Sequence, residues 1–224
     1  MLFGFLLVYL GLVFCLFFVE FGIVLLGDSV VFLRWLLKPF LMISLIGFFI
    51  VFVDLRVVDF LVVLALFLSL FGDVFLMFSG DRCFLFGLFS FFMAHLFYIV
   101  FFVVSSGASL FAVSALRYIL FLPPLFVVFL FLYRFRGRLS EEGVYVFIYA
   151  FILVLMVFVS ALRLPSEPLF NISVLLTYFG GFLFLVSDLL IAWSRYLFSM
   201  FLEPFIILLY GLAQLFIVIG LVLA

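Results

Sequence analysis

The sequence predicts an all-α polytopic membrane protein: eight transmembrane helices in one bundle with short connections, residues 1–224 forming a single transmembrane domain. Three observations carry that expectation. The first is composition. Of the 224 residues 72% are apolar and 9% charged, with a mean hydropathy of +1.71, whereas a soluble domain is about 45–50% apolar and about 25% charged. The second is length: a span plus a short turn takes about 28 residues, which leaves room for about eight spans and no further domain. The third is pattern. Apolar runs alternate with polar notches no longer than about ten residues, so consecutive helices should be antiparallel neighbours.

The expected spans are 2–26, 36–53, 58–78, 83–104, 112–133, 143–162, 170–193 and 202–223. The first is not a convincing cleavable leader, because it lacks a basic start, carries Glu20 and is too long. The second follows Gly27-Asp28-Ser29, the third follows Asp54 to Asp59, and the fourth follows Ser79-Gly80-Asp81-Arg82. The fifth follows Ser105-Ser106-Gly107, and Pro123-Pro124 is expected to kink it. The sixth lies between the notches Arg134 to Glu142 and Arg163 to Pro168. The seventh opens on Asn171-Ile172-Ser173, a glycosylation sequon at a span start, where use is not expected. The eighth follows Arg195 to Ser199. No lipidation motif, internal repeat or low-complexity linker is found.

Charge counts exclude several functions. Ten Lys+Arg against eleven Asp+Glu give a net charge of −1, without the basic excess that nucleic-acid binding needs. The two cysteines, Cys15 and Cys83, make no disulfide scaffold. A single histidine, His95, argues against a metal site built on imidazoles, and no cofactor is implied. Orientation follows from basic residues near span ends. The odd-numbered connections carry Arg34, Lys38, Arg82, Arg134, Arg136, Arg138 and Arg195; the even side carries Arg56, Arg117 and Arg163. Seven against three places the odd connections in the cytoplasm and both termini outside.

Charged residues within membrane helices cost at least about 2.5–3.5 kcal/mol on insertion scales, so each needs a reason. The ionisable candidates are Glu20, Lys38, Asp73, His95, Asp188 and Glu203. Lys38 and Glu203, near span ends, can be interfacial. Asp73 and Asp188 sit about 7 Å inside their spans at 1.5 Å per residue, too deep for a short side chain to reach water. Helix direction puts Glu20, Lys38, Asp73, Asp188 and Glu203, from five helices, in one leaflet, a segregation not expected of scattered structural charges.

Helical spacing assigns faces. Gly87, Phe91, Ala94, His95 and Tyr98 form one stripe, as do Ser69, Gly72 and Asp73. Thr177, Gly180, Gly181, Phe184, Ser187 and Asp188 form another. Glu203, Tyr210 and Gln214 align, as do Tyr145, Tyr149 and Met156. Small residues let helices approach, so all these faces are expected to point into the bundle.

These stripes resemble the YhhN-like membrane family, whose characterised members are lysoplasmalogenases. Lys38-Pro39 resembles the family's Lys-Pro at the second helix, and the stretch Leu68 to Met77 resembles its Gly-Asp segment. Gly87 to Tyr98 is similar to its Ala-His block, and Gly180 to Ala192 to its Ser-Asp block. Tyr210 to Ile217 is similar to its last-helix Tyr-x-x-Ala-Gln pattern. Five blocks in the family's order cover most of the chain; the first helix and residues 105–140 contribute little. The resemblance implies an eight-helix hydrolase that cleaves the vinyl ether bond of alkenyl-glycerophosphocholine or alkenyl-glycerophosphoethanolamine. The products are a fatty aldehyde and the glycerophospho head group.

That chemistry needs a proton delivered to the vinyl carbon and water added to the resulting oxocarbenium ion. Glycosidases meet a similar demand with two carboxyls, and two carboxyls close together in a low-dielectric bundle tend to share one proton. Asp73 and Asp188 are therefore the expected acid and base, in an order the sequence leaves open. His95 relays protons, orients an Asp, or is a packed histidine. Lys38 is placed against the phosphate of a lysophospholipid from the bilayer, with Arg82 or Arg195 helping. Tyr98, Tyr210 and Gln214 can bond to the head group or the carboxyls, while the alkenyl chain enters sideways from lipid. The main rival is a proton-coupled transporter or lipid-binding membrane protein using the same carboxylates, although inverted repeats and broken helices in matching halves are not found. A two-Asp intramembrane protease fits less well, because Gly72-Asp73 has Leu70 where a second Gly would stand. A purely structural membrane protein is the remaining alternative.

Overall fold

A computed structural model describes residues 2–26, 31–106, 115–135, 143–163, 171–197 and 200–224. No strand occurs among them. The helices are α1 (Leu2–Leu26), α2 (Val31–Phe52), α3 (Phe60–Met77), α4 (Asp81–Ser106), α5 (Ala115–Ile119), α6 (Leu122–Phe135), α7 (Gly143–Leu162), α8 (Ile172–Leu197) and α9 (Glu203–Val222). Short 3-10 turns, Val57–Asp59 and Met200–Leu202, lead into α3 and α9. Seven segments among the described residues are long and apolar enough to cross a membrane, and α7 adds a shorter apolar stretch, Phe147–Leu162. The protein is an integral membrane helical bundle.

Local chemistry explains the element ends. The side chain of Asn171 accepts the Ser173 amide at 2.8 Å and caps α8. The expected kink is a break. Leu120 and Phe121 form a turn between α5 and α6, and Pro123 and Pro124 fall in the first turn of α6. There the missing N–H has no helical partner to lose. The helix α2 begins at Val31 rather than at 36, because Arg34 lies inside it, held by a bidentate ion pair with Glu20 of α1. Lys38 therefore sits about two turns into α2 rather than at its start.

Two helix pairs, α8 with α9 and α3 with α4, pack most extensively. In lipid the hydrophobic effect does not drive helices together, so close backbone approach and van der Waals contact must. Gly180 provides such an approach: a Cβ there would stand 2.7 Å from the Ile217 nitrogen and 2.8 Å from the Ala213 carbonyl oxygen of α9. Outer faces carry large lipid-compatible residues such as Phe3, Phe18, Phe89 and Phe151.

Antiparallel packing gives the bundle two polar ends. Phe17 of α1 meets Phe205 of α9, and Val13 lies against Gly211, so the start of α1 and the end of α9 lie opposite Glu203. Arg195 near the end of α8 pairs with Asp81 at the start of α4 at the Glu203 end. At the other end buried Arg163 joins α7, α8 and α9. One of its terminal nitrogens donates to the Ser173 hydroxyl (2.6 Å), the Thr177 hydroxyl (2.8 Å) and the Gly220 carbonyl (3.0 Å). Arg117, also buried, donates to the carbonyls of Ala161 and Arg163.

Candidate functional site

The residues expected to face inward do so with one exception. Asp73, His95, Tyr98, Asp188, Tyr210 and Gln214 are all buried. Tyr145 is the correction: it is 59% exposed, although Tyr149 and Met156 of the same stripe are buried. Only α4, α6 and α8 pack beside α7 to any extent apart from short α5, so a stripe as wide as Tyr145 to Met156 runs past the edge of the core.

Asp73, on α3, receives the Tyr210 hydroxyl of α9 at 2.6 Å and stands 3.3 Å from the Lys38 ammonium of α2. Its face can lie deep in the bundle because Gly72 beside it packs under the Phe91 ring of α4. Asp188, on α8, receives the Tyr149 hydroxyl of α7 in a short hydrogen bond through Oδ2. Its other oxygen, Oδ1, is buried and has no hydrogen-bond partner. The two carboxylates are close enough for their charges to interact. They differ in surroundings: Asp73 has a cation within ion-pair distance, and Asp188 has none among the described residues.

His95 is fully buried and bonds to neither carboxylate. Its ring meets Phe184 edge-on at 4.6 Å and Tyr149 at 5.7 Å, so it reaches Asp188 only through the tyrosine. Neither of its ring nitrogens makes a hydrogen bond of good geometry. Tyr98 and Gln214 form a string beside it: the Tyr98 hydroxyl donates to Gln214 Oε1 at 3.0 Å, Gln214 Nε2 donates to the Ser69 hydroxyl at 3.1 Å, and the Gln214 amide also lies near the Tyr210 hydroxyl.

Three spaces surround this centre. A chamber of about 450 Å³ at the Glu203 end is lined by Glu20, Arg34, Lys38, Ser194, Arg195 and Glu203 with apolar neighbours. A cavity of about 30 Å³ is bordered by Asp188, Tyr149 and apolar side chains; a water needs about 10–15 Å³ by this measure. A groove of about 290 Å³ between α4 and α7 is lined by Leu85, Leu88, Phe89, Phe92, Tyr145, Ile148 and Tyr149. The cavity shares Leu76, Phe84 and Ile191 with the chamber, and Leu88 and Tyr149 with the groove. The order is therefore polar chamber, water-sized cavity with an open carboxylate oxygen, and apolar groove facing lipid.

The model of the YhhN family matches residues 33–221. The chain belongs to the YhhN family. Nothing among curated proteins and nothing among solved structures matches it. The matched stretch begins inside α2 and contains both carboxylates, both tyrosines that bond to them and every chamber charge except Glu20. For this YhhN-family chain, sequence reasoning named Asp73, Asp188, Lys38 and Tyr210; the structure brings Lys38, Asp73 and Tyr210 into contact and bonds Asp188 to Tyr149. Of the two arginines offered as helpers, Arg195 lines the chamber, whereas Arg82 is exposed and lines none of the three spaces. Sequence reasoning placed Tyr149 only in a stripe and missed its bond to Asp188. The signal that could have found it is the scarcity of buried phenols on α7: any such hydroxyl needs a partner in hydrocarbon.

Proposed function

We propose that the protein is a lysoplasmalogenase-like hydrolase, cleaving the vinyl ether of an alkenyl-glycerophospholipid to a fatty aldehyde and the glycerophospho head group. The observation that carries this reading is the unpartnered Oδ1 of buried Asp188 beside a water-sized cavity, between a charged chamber and an apolar groove. A single-chain amphiphile has the same order of parts: charged head, reactive bond, hydrocarbon tail. Family membership adds a lipid-handling context.

The role split follows from the counter-charges. A carboxylate without a cation is costly inside a membrane, so the proton of the pair belongs on Asp188, while Asp73 stays charged beside Lys38. Asp188 gives its proton to the vinyl carbon remote from oxygen. The C=C electrons form the new C–H bond, and the adjacent oxygen shares the positive charge as an oxocarbenium ion. The freed Asp188 carboxylate and nearby Asp73 stabilise that ion. Water adds to the oxocarbenium carbon and returns a proton to Asp188, and the hemiacetal collapses to aldehyde and alcohol. Tyr149 and Tyr210 hold the two carboxylates in place. His95 packs behind Tyr149, and the Tyr98–Gln214 string fixes α4 against α9. Lys38 and Arg195 face the substrate phosphate. Counting α7 as a crossing gives eight spans, with the chamber toward the cytoplasmic leaflet and both termini outside by the distribution of basic residues.

The test is aldehyde release from alkenyl-glycerophosphoethanolamine and alkenyl-glycerophosphocholine by purified, detergent-solubilised protein, beside Asp73→Asn and Asp188→Asn. Release by wild type should fall by at least about 100-fold in each folded variant. Release that survives both changes would overturn the paired-carboxylate mechanism. No release by wild type from either lipid would overturn the hydrolase reading and favour proton-coupled transport or lipid binding by the same carboxylates.

A further inference from the structure

The charges of the chamber do not cancel. Arg34 is paired with Glu20, Lys38 with Asp73, and Arg195 with Asp81 at 2.6 Å. Each basic group lining the chamber therefore already has a carboxylate. Glu203 lines the same chamber and has no basic group within 4.0 Å among the described residues; its one hydrogen bond comes from the Ser194 hydroxyl, at 3.1 Å. Its position in the first turn of α9 supplies a favourable helix dipole, but that is only about half an elementary charge. One negative charge is left facing a 450 Å³ space whose remaining walls include Leu76, Phe84, Ile206 and Ile207. A cation brought by a ligand would complete the balance.

The same chamber can also hold an anion. Each guanidinium has five N–H donors, and one carboxylate does not use them all. Arg195 is further fixed by its position over the Phe84 ring, 3.9 Å from the centroid, so its fork is pre-aimed. Positive groups that keep spare donors, beside a negative group that lacks a cation, match a head group carrying both signs.

We propose that Glu203 is the subsite for the ammonium of a zwitterionic phospholipid head, with the phosphate turned toward Arg195 and Lys38. This rests on the amphiphile reading of the site and adds the residue that selects the head group. Glu203 selects primary or quaternary ammonium heads over heads without a cation, such as phosphoglycerol.

Saturated alkyl-ether lysolipids test it, because they lack the vinyl bond and bind without reaction. Affinities of purified full-length protein for ethanolamine, choline and glycerol heads of equal chain length are measured by calorimetric titration in detergent. Wild type should prefer the ammonium heads by up to about fivefold, the size expected of one partly exposed ion pair. Glu203→Gln should remove that preference and leave the affinity for the glycerol head unchanged, and Glu203→Asp should keep part of it. A preference that persists in Glu203→Gln, or a wild type that binds all three heads equally, overturns the subsite and leaves the amphiphile reading standing. A wild type that binds none of them overturns both. Failure of the hydrolase chemistry alone would show differently, as ether binding with the expected preference but no aldehyde from the alkenyl lipids.

Discussion

The two polar ends of the bundle handle buried charge in opposite ways. At the Gly220 end one nitrogen of Arg163 is surrounded by acceptors, the hydroxyls of Ser173 and Thr177 and the carbonyls of Ser173 and Gly220, while its buried Nε lacks a partner and the side chain borders a space of about 370 Å³. At the Glu203 end, carboxylate oxygens are left with few partners next to empty space: Asp188 Oδ1 has none, and Glu203 has only the Ser194 hydroxyl among the described residues. A buried polar group with its partners in place holds helices together, and one without them costs free energy unless a ligand or water completes it. The first end therefore reads as a clasp and the second as a site. Both are made of charged residues in a chain that is only 9% charged, so charge alone does not separate structure from function. The number of partners each charged group holds does: four acceptors for Arg163, one donor each for Asp188 and Glu203.

The largest effect expected from this contrast is on stability. Arg163→Met removes the donor that joins α7, α8 and α9 and leaves several buried acceptors without a partner. A loss of about 3 kcal/mol is expected, read as a lower thermal unfolding midpoint of the solubilised protein. Turnover per folded molecule should stay near wild type. Lost turnover with an unchanged midpoint would break the contrast, because the clasp would then belong to the site. Tyr149→Phe should do the reverse. It strips the Asp188 carboxyl of the one hydrogen bond it has among the described residues and fills the same volume. A fall in kcat of about ten- to a hundredfold with little change in KM is expected, which is the signature of an interaction made in the transition state. A raised KM at constant kcat would make Tyr149 a wall of the groove and nothing more.

The fold was legible because membrane helices are decided by hydropathy, which each span carries by itself. That Pro123-Pro124 would disturb the fifth span was legible for the same local reason, but only as a kink; the turn at Leu120 and Phe121 was not. The start of α2 was not, because Arg34 reads as a polar notch until its partner Glu20, on another helix, is seen beside it. That Asp73 and Asp188 both face into the bundle followed from helical spacing. Which tyrosine meets which aspartate did not, since that depends on which helices are neighbours: α9 beside α3 for Tyr210 and α7 beside α8 for Tyr149. The outward turn of Tyr145 depends likewise on α7 standing at the edge of the bundle, a fact of assembly that one helix cannot encode.

The smallest effect concerns the string between the two ends. Tyr98 and Gln214 were expected to touch substrate or carboxyls, yet both are fully buried, bond to each other and to Ser69, and line neither chamber, cavity nor groove. Each of their polar side-chain atoms has a partner, although Tyr98 shares a helix face with His95. Tyr98→Phe should therefore cost about 1 kcal/mol of stability, one neutral hydrogen bond, and leave kcat and KM for the alkenyl lipid unchanged. Gln214 keeps its bond to Ser69 in that variant, so α9 stays in register with α3. A drop in kcat comparable to that of Tyr149→Phe would mean that the hydroxyl acts on Asp73 through its neighbours. The number of partners would then fail as the criterion that separates clasp from site.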